Sequence, residues 1–262
     1  MQIRFYKYQG TGNDFIILDN REKIFDSLTQ KQINKMCNRR FGVGADGLIM
    51  LENMEGYDFK MVYFNADGNP STMCGNGGRC LVQFAKDQGI SKYTYYFTAP
   101  DGDHEAEIDN YGNIRLKMKD VNGLEEHTTY ALVDTGSPHY IKLTNNIDKV
   151  DVVEEGRAIR NSKPFAEQGI NVNFVEPGND DSIFVRTYER GVEDETMSCG
   201  TGVTASALIH AHNNRGFNRV EVKTQGGVLS VEFNKVADDV FENIWLCGPA
   251  NFVYNGEIIM ED

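Results

Sequence analysis

The sequence predicts an α+β fold of two pseudo-symmetric domains, each a β-sheet or barrel wrapped around a long central helix. Three observations lead there. First, Met73-Cys74-Gly75-Asn76-Gly77 has a counterpart 125 residues later in Ser198-Cys199-Gly200-Thr201-Gly202. Second, other signals repeat in the same order. Thr11-Gly12-Asn13 is echoed by Thr135-Gly136-Ser137, Gly44-Ala45-Asp46 by Gly169-Ile170-Asn171, and Gly102 by Gly227. Third, each cysteine stands before a helix-like run and after several strand-like ones, so both halves read as one supersecondary plan used twice.

The elements follow from periodicity. Residues 3–8, 15–19, 48–52, 59–65, 93–99, 104–108 and 114–118 are rich in β-branched and aromatic residues between turn signals, and read as strands. Residues 29–39 and 75–88 read as helices, the second carrying Cys80, Leu81, Phe84 and Ala85 on one face. In the second half, 140–143, 173–176, 183–187, 220–224 and 229–233 read as strands. A helix over 200–213 carries Val203, Ala207, Leu208 and Ala211 inward.

Length and composition narrow the function. A chain of 262 residues can bury a sizeable core in one or two domains. Its 39 acidic against 26 basic side chains give a formal charge of −13, which repels phosphate backbones and anionic lipid. Nucleic acid and membranes are therefore set aside as partners in favour of a small-molecule substrate. The first residues lack the pattern of a signal peptide, and no apolar run approaches the roughly 20 residues of a membrane span. The five cysteines include no C-x-x-C pair, which speaks against a disulfide framework or zinc site and for reduced thiols in the cytoplasm.

Two matched thiols suit a reaction that needs one base and one acid on opposite sides of a carbon. A helix start has unsatisfied N–H groups and a partial positive charge. At Cys74 and Cys199 this draws the thiol pKa from about 8.5 toward neutrality and offers a carboxylate a seat on the following amides. A thiolate then removes an α-proton while the opposite thiol delivers one to the other face. Cys80 falls on an apolar helix face and reads as core; Cys37 and Cys247 read as structural.

Gly12-Asn13-Asp14-Phe15, Phe64-Asn65-Ala66-Asp67-Gly68, Cys74-Gly75-Asn76-Gly77, Glu189-Arg190-Gly191 and Cys199-Gly200-Thr201-Gly202 together resemble the diaminopimelate epimerase family, over essentially the whole chain. The resemblance implies a cofactor-independent epimerase that converts L,L-diaminopimelate to the meso form, in lysine and cell-wall precursor synthesis. It implies a domain of residues 1–118 to which 252–262 return, a second domain of 119–251, and a substrate cleft between them. Family members are often dimers, so a homodimer is left open. Carried over by motif, Cys74 and Cys199 are the acid–base thiols. Asn13, Asn65, Asn171, Glu189 and Arg190 resemble the substrate-binding side chains, Gly75-Asn76 and Gly200-Thr201 the carboxylate-binding loops. His139 and Glu189 resemble residues that support the thiols.

The charges of Glu189-Arg190 suit the second amino-acid head of such a substrate, guanidinium to carboxylate and carboxylate to ammonium. Neighbours in a regular strand face opposite ways, so both reach one pocket only if the strand ends there. Gly47 and Ser137 depart from the family pattern of glutamine and asparagine, and the acids Glu193, Asp194 and Glu195 read as a solvated bulge. A proline or hydroxyproline epimerase would need a less polar far pocket. A thiol redox protein would use Cys74 and Cys199 as a reversible disulfide, and a pyridoxal phosphate enzyme would need a Schiff-base lysine and a phosphate loop.

Overall fold

The computed structural model describes residues 1–178 and 181–260. Its contacts divide the chain into two compact units, Met1–Leu116 with Pro249–Asp262, and Lys117–Gly248. Of the segment 252–262 expected to return to the first domain, 261 and 262 lie outside the described residues.

The first unit holds β1 (Gln2–Gly10), β2 (Asn13–Asp19), α1 (Gln30–Cys37), β3 (Gly47–Glu52), β4 (Phe59–Asn65), α2 (Gly75–Asp87), β5 (Thr94–Ala99), β6 (Gly102–Ile108) and β7 (Ile114–Lys117, crossing the unit boundary by one residue), with β18 (Asn251–Ile259) from the chain's end. Strand β1 lies antiparallel between β18 and β2. From β2 the pairing runs parallel to β3, antiparallel to β4, parallel to β5, then antiparallel to β6 and β7.

Helix α1 starts at Thr29, whose hydroxyl accepts from the Gln32 amide while the Gln32 side chain accepts from the Thr29 amide. Its apolar face, Ile33, Met36 and Cys37, packs on Ile16, Leu18, Leu48 and Met50. The alternate residues Phe15 and Ile49 come within van der Waals reach of Gly77 in α2. Covered on both faces, β2 and β3 read as continuous apolar runs, as parallel neighbours do. Ten of the thirteen residues of α2 are buried, and the helix touches β1, β2, β3, β4 and β18.

The second unit holds β8 (Val121–Asn122), β9 (Leu124–Glu126), β10 (Ala131–Asp134), β11 (Pro138–Leu143), a 3-10 turn (Ile147–Lys149), α3 (Val152–Arg160), β12 (Asn171–Pro177), β13 (Ser182–Glu189), β14 (Asp194–Thr196), α4 (Gly200–Ile209), β15 (Gly216–Thr224), β16 (Gly227–Ala237) and β17 (Val240–Gly248). Starting at β10 the pairing is antiparallel to β11, parallel to β12, antiparallel to β13, parallel to β15, then antiparallel to β16 and β17. That is the succession found from β1 to β6 and β7. Val172 and Phe174 of β12 face α3 in an apolar cluster with Val152 and Ile159, while α4 packs against β10 to β13 and β15 to β17.

Two expectations need correction. The helix predicted over 200–213 stops at Ile209, and Ala211 lies beyond it, partly exposed. The Asn213-Asn214 segment takes turn structure instead, the Asn213 amide donating to the Asn218 side chain. Of the acids at 193–195, Glu193 and Asp194 are exposed as expected, but Asp194–Thr196 pairs with β13 as a hairpin and Glu195 is half-buried. Glu195 takes a two-pronged bond from Arg186 at 2.7 Å, and Glu193 accepts from Arg160 and from the Tyr188 hydroxyl. No helix among the described residues is long and apolar enough to cross a membrane.

Candidate functional site

In each unit the candidate residues collect at one end of the sheet. In the first, β2 begins at Asn13, β3 at Gly47, and β4 ends at Asn65, the register pairing Phe15 with Gly47 and Gly47 with Asn65. The two-residue turn Thr11-Gly12 brings the chain back, both residues at positive φ (52° and 84°), the geometry of a type I′ hairpin. In the second, β11 begins at Pro138, β12 at Asn171, and β13 ends at Glu189, with His139 opposite Asn171.

Cys74 and Cys199 are the N-cap residues of α2 and α4, both in extended backbone, and neither sulfur caps its helix. The first-turn amides therefore lack both an intrahelical acceptor and a capping side chain, the arrangement that binds anions. The thiols differ in surroundings: Cys74 is partly exposed and Cys199 is buried. Burial pushes the Cys37 and Cys80 thiols up to about 12, so both stay protonated near neutrality.

Around Cys74 runs a ladder of side chains whose amide orientations are mutually fixed. The buried Arg79 donates to the Asn76 Oδ1 (3.0 Å) and to the Thr11 hydroxyl (3.3 Å). With its oxygen so engaged, Asn76 turns its Nδ2 to the Asn13 Oδ1 (3.3 Å), which also accepts from the Cys74 thiol (3.5 Å). The Asn13 Nδ2 donates to Asp46 (2.6 Å). Arg39, carried by the turn after α1, bonds Asp46 (2.7 Å) and grips Asp14 with both nitrogens (2.9 and 2.6 Å); Lys7 pairs with Asp14 at 2.6 Å. Burial alone would raise the Asp14 carboxyl, but these cations outweigh it and bring it down to about 2. Asn13, Cys74 and Asn76 thus come together. Asn65 ends β4 exposed, with no side-chain hydrogen bond among the described residues.

In the second unit the Asn171 Oδ1 accepts from the Arg190 amide (2.9 Å), holding the two ends of the strand pair together. Strand β13 does end at Glu189, and Gly191 follows at φ +90°. Glu189 accepts from the Thr196 hydroxyl (3.0 Å), three residues before Cys199, while Arg190 donates to the Gln168 carbonyl (3.0 Å) and has no carboxylate partner among the described residues. The Cys199 sulfur lies 3.5 Å from the Thr201 hydroxyl. Thr135, in the turn before β11, donates to the Thr201 carbonyl (2.9 Å).

His139 is fully buried; burial, with the positive Arg190 adding to it, pushes its imidazole down to about 3, so it is neutral. Its Nδ1 lies 3.0 Å from the Asn173 Nδ2.

Sequence reading missed Arg39, Arg79, Tyr63, Asn173 and Thr187. The alternation Asn171-Val172-Asn173 was a usable signal, since it places two amides on one face of a strand. Gly47 is compelled by Tyr63: a Cβ there would lie 2.6 Å from the ring. The space a longer side chain would need is filled by the phenol.

The diaminopimelate epimerase family model matches residues 5–123 and 131–253. Diaminopimelate epimerase of Flavobacterium psychrophilum is 50% identical over 257 residues, covering 98% of this chain and 100% of that protein. The Chlorobaculum tepidum enzyme of the same name is 46% identical over 261 residues, covering 96% and 99%. Among solved structures, a Bacillus anthracis phenazine biosynthesis protein of the PhzF family superposes with a TM-score of 0.76 at 16% identity, covering 99% and 100% of the two chains. A hydroxyproline epimerase from Agrobacterium vitis gives 0.66 at 12%, covering 100% and 93%. At such identities these two establish the fold alone.

Proposed function

The chain belongs to the diaminopimelate epimerase family, and from that premise we propose that Cys74 and Cys199 are the acid and base that invert one α-carbon of its substrate. The protein is an isomerase that epimerises L,L-diaminopimelate to the meso form, the step that serves lysine and cell-wall precursor synthesis. The observation that carries the mechanism is the recurrence of a cysteine as an N-cap whose sulfur leaves the helix amides uncapped.

In this scheme one thiolate removes the α-proton and the other thiol protonates the opposite face, so the cysteines exchange roles in the reverse reaction. The first-turn amides at Gly75-Asn76 and Gly200-Thr201 take the carboxylate and stabilise the charge that develops on it. Asn13, Asn65 and Asn171 bind the substrate's polar groups. Arg190 takes the distal carboxylate and Glu189 the distal ammonium, a role that Arg190's lack of a carboxylate partner among the described residues supports. His139 and Glu189 support the thiols. The scheme calls for no cofactor.

The matching pairing succession from β1 and from β10 supports reading the two units as products of a duplication. In that reading the domains are 1–118 with 252–262, and 119–251, each built around its own helix, α2 or α4. A cytoplasmic setting, where thiols stay reduced, and a homodimeric assembly complete the reading.

Proton NMR of L,L-diaminopimelate with the protein in D₂O tests it, beside Cys74→Ala and Cys199→Ala. The expected result is loss of the α-proton signal with meso product in the wild type and in neither variant. Exchange that persists in a variant removes that cysteine from the mechanism. Exchange of proline in place of diaminopimelate removes the assignment of Glu189 and Arg190.

A further inference from the structure

Three buried side chains and one backbone carbonyl in the second unit fix one another's hydrogen-bond roles, and together they fix the proton on His139. The Asn173 carboxamide in β12 has two orientations available in principle. One of its neighbours is the Tyr140 backbone carbonyl, 3.2 Å from Nδ2, and a carbonyl can only accept. The Thr187 hydroxyl, on the facing position of β13, donates to Oδ1 at 2.9 Å. The amide nitrogen therefore faces His139, and since an amide nitrogen only donates, the imidazole nitrogen 3.0 Å from it, Nδ1, accepts. The imidazole is neutral, so its single ring proton sits on Nε2. That Nε2 is fully buried and has no hydrogen-bond partner among the described residues.

The pair lies directly under the helix that Cys199 begins. A Cβ on Gly202 would stand 2.3 Å from the Asn173 Oδ1 and 3.3 Å from the His139 Cε1. The first turn of α4 approaches this closely only because it carries glycine there.

We propose that Asn173 is a positioning residue that locks His139 in the Nε2–H tautomer, so the imidazole serves the thiol chemistry as a hydrogen-bond donor and not as a base. The inference rests on the reading that His139 supports the catalytic thiols. An Nε2–H group can donate to a thiolate or to a carboxylate and stabilise either. It cannot take a thiol proton at Nε2, and taking one at Nδ1 would set two donors, the new N–H and the Asn173 amide, against each other in a dry site. Thr187 acts one step further out by keeping the Asn173 oxygen occupied. Asn173 and Thr187 thus act from the protein interior through the orientation they impose on His139.

Long-range proton–nitrogen NMR of the protein labelled with ¹⁵N-histidine reads the tautomer directly, because a protonated and an unprotonated ring nitrogen resonate far apart. The expected result is one non-titrating histidine with Nε2 protonated and Nδ1 bare through the neutral range. A proton on Nδ1, or an imidazolium, overturns the proposal with the wild type alone. Asn173→Asp supplies the second arm, since a carboxylate only accepts and draws the proton to Nδ1. Its tautomer signal is expected to move, with kcat for α-proton exchange falling about tenfold and KM held within about twofold. A moved tautomer with wild-type kcat overturns the positioning role. Thr187→Val reports the same link more gently and stands in if the aspartate variant does not fold. Its expected signature is a mixed tautomer with a smaller loss of kcat, and a mixed tautomer with kcat unchanged overturns the role. A wild type that leaves diaminopimelate unexchanged while showing the Nε2–H tautomer defeats the functional reading and leaves this assignment of the proton intact.

Discussion

The surroundings of Cys74 and of Cys199 share their backbone plan and almost nothing of their polar chemistry. Each cysteine is an N-cap before a buried helix, and each helix joins two parallel strands of its own unit. Around Cys74 the polar groups are charged at both ends: Arg79 inside, then Asn76, Asn13 and Asp46, then Arg39, Asp14 and Lys7. The Cys74 sulfur meets an oxygen that only accepts, a contact open to the thiol and not to the thiolate. Under the helix that Cys199 begins lie His139, Asn173 and Thr187, all neutral and all buried. The Cys199 sulfur meets a hydroxyl that can donate or accept. The two cysteines thus share a strand-pairing order around them and differ in their electrostatics.

The largest consequence of this difference is in acid. His139 is held at about 3, well below its ordinary 6.5, by burial and by Arg190. A depressed pKa means the folded chain prefers the neutral ring, so the stability it contributes is complete above 6.5. It is lost as the pH falls toward 3, at about 1.4 kcal/mol per pH unit. Asp14, brought to about 2 from an ordinary 3.8, contributes stability that is complete above 3.8 and is lost only as the pH falls toward 2. Its total is about 2 kcal/mol. Urea midpoints measured against pH separate the two. Below 6.5 the wild-type curve should fall more steeply than that of His139→Gln, while Asp14→Asn should track the wild type until the pH drops under 3.8. Parallel wild-type and His139→Gln curves would mean that His139 is not held neutral by the fold.

How far the sequence disclosed this contrast depends on which physics each part uses. Helix α2 was legible because Cys80, Leu81, Phe84 and Ala85 follow the helical period, and all four are buried. Helix α3 was missed although it has the Asp151 cap on the Glu154 amide, since Glu154, Glu155 and Arg157 dilute its short apolar stripe. The cysteines stood out as a repeated motif. Asn173 did not: its alternation with Asn171 puts two amides on one strand face, but what they do shows only when their partners from β11 and β13 are brought beside them. Arg39 and Arg79 were missed because each also reaches across the fold, to Asp14 and Thr11 at 25 and 68 residues' separation, and a near partner such as Asn76 looks like an ordinary helix contact. Local pattern reports period and turn chemistry, and long-range polar networks leave no local pattern.

A second pair of substitutions probes how tightly each helix start is packed. Gly77 and Gly202 occupy the same place, three residues after each cysteine. A Cβ on Gly77 would meet the mobile end of Ile49 at 3.0 Å, whereas one on Gly202 would meet the hydrogen-bonded Asn173 Oδ1 at 2.3 Å. Gly202→Ala should cost about 1–3 kcal/mol or prevent folding, as overpacking does. In Gly77→Ala the helix preference of alanine, about 1 kcal/mol, offsets the displaced methyl. Thermal melts of the two variants decide the matter. Equal losses would show that both helix starts are equally rigid, and the contrast in packing would then be lost.

The smallest expected effect lies in the two hairpin threonines, which hold similar places by opposite bonds. Thr135 donates to the Thr201 carbonyl at 2.9 Å, tying its turn to the first turn of α4. Replacing it with valine keeps the shape and leaves that carbonyl without the bond, a loss of about 1 kcal/mol. Thr11 instead accepts from Arg79, and does so at φ 52°, a backbone region that a β-branched residue disfavours. Asparagine tolerates that region, favours this turn type before glycine, and still offers an oxygen to the guanidinium. Thr11→Asn should therefore leave stability within about 0.5 kcal/mol of the wild type. A loss as large as that of Thr135→Val would mean that the Thr11 hydroxyl is specifically needed to orient Arg79. The charged ladder around Cys74 would then begin one residue further out, in the turn itself.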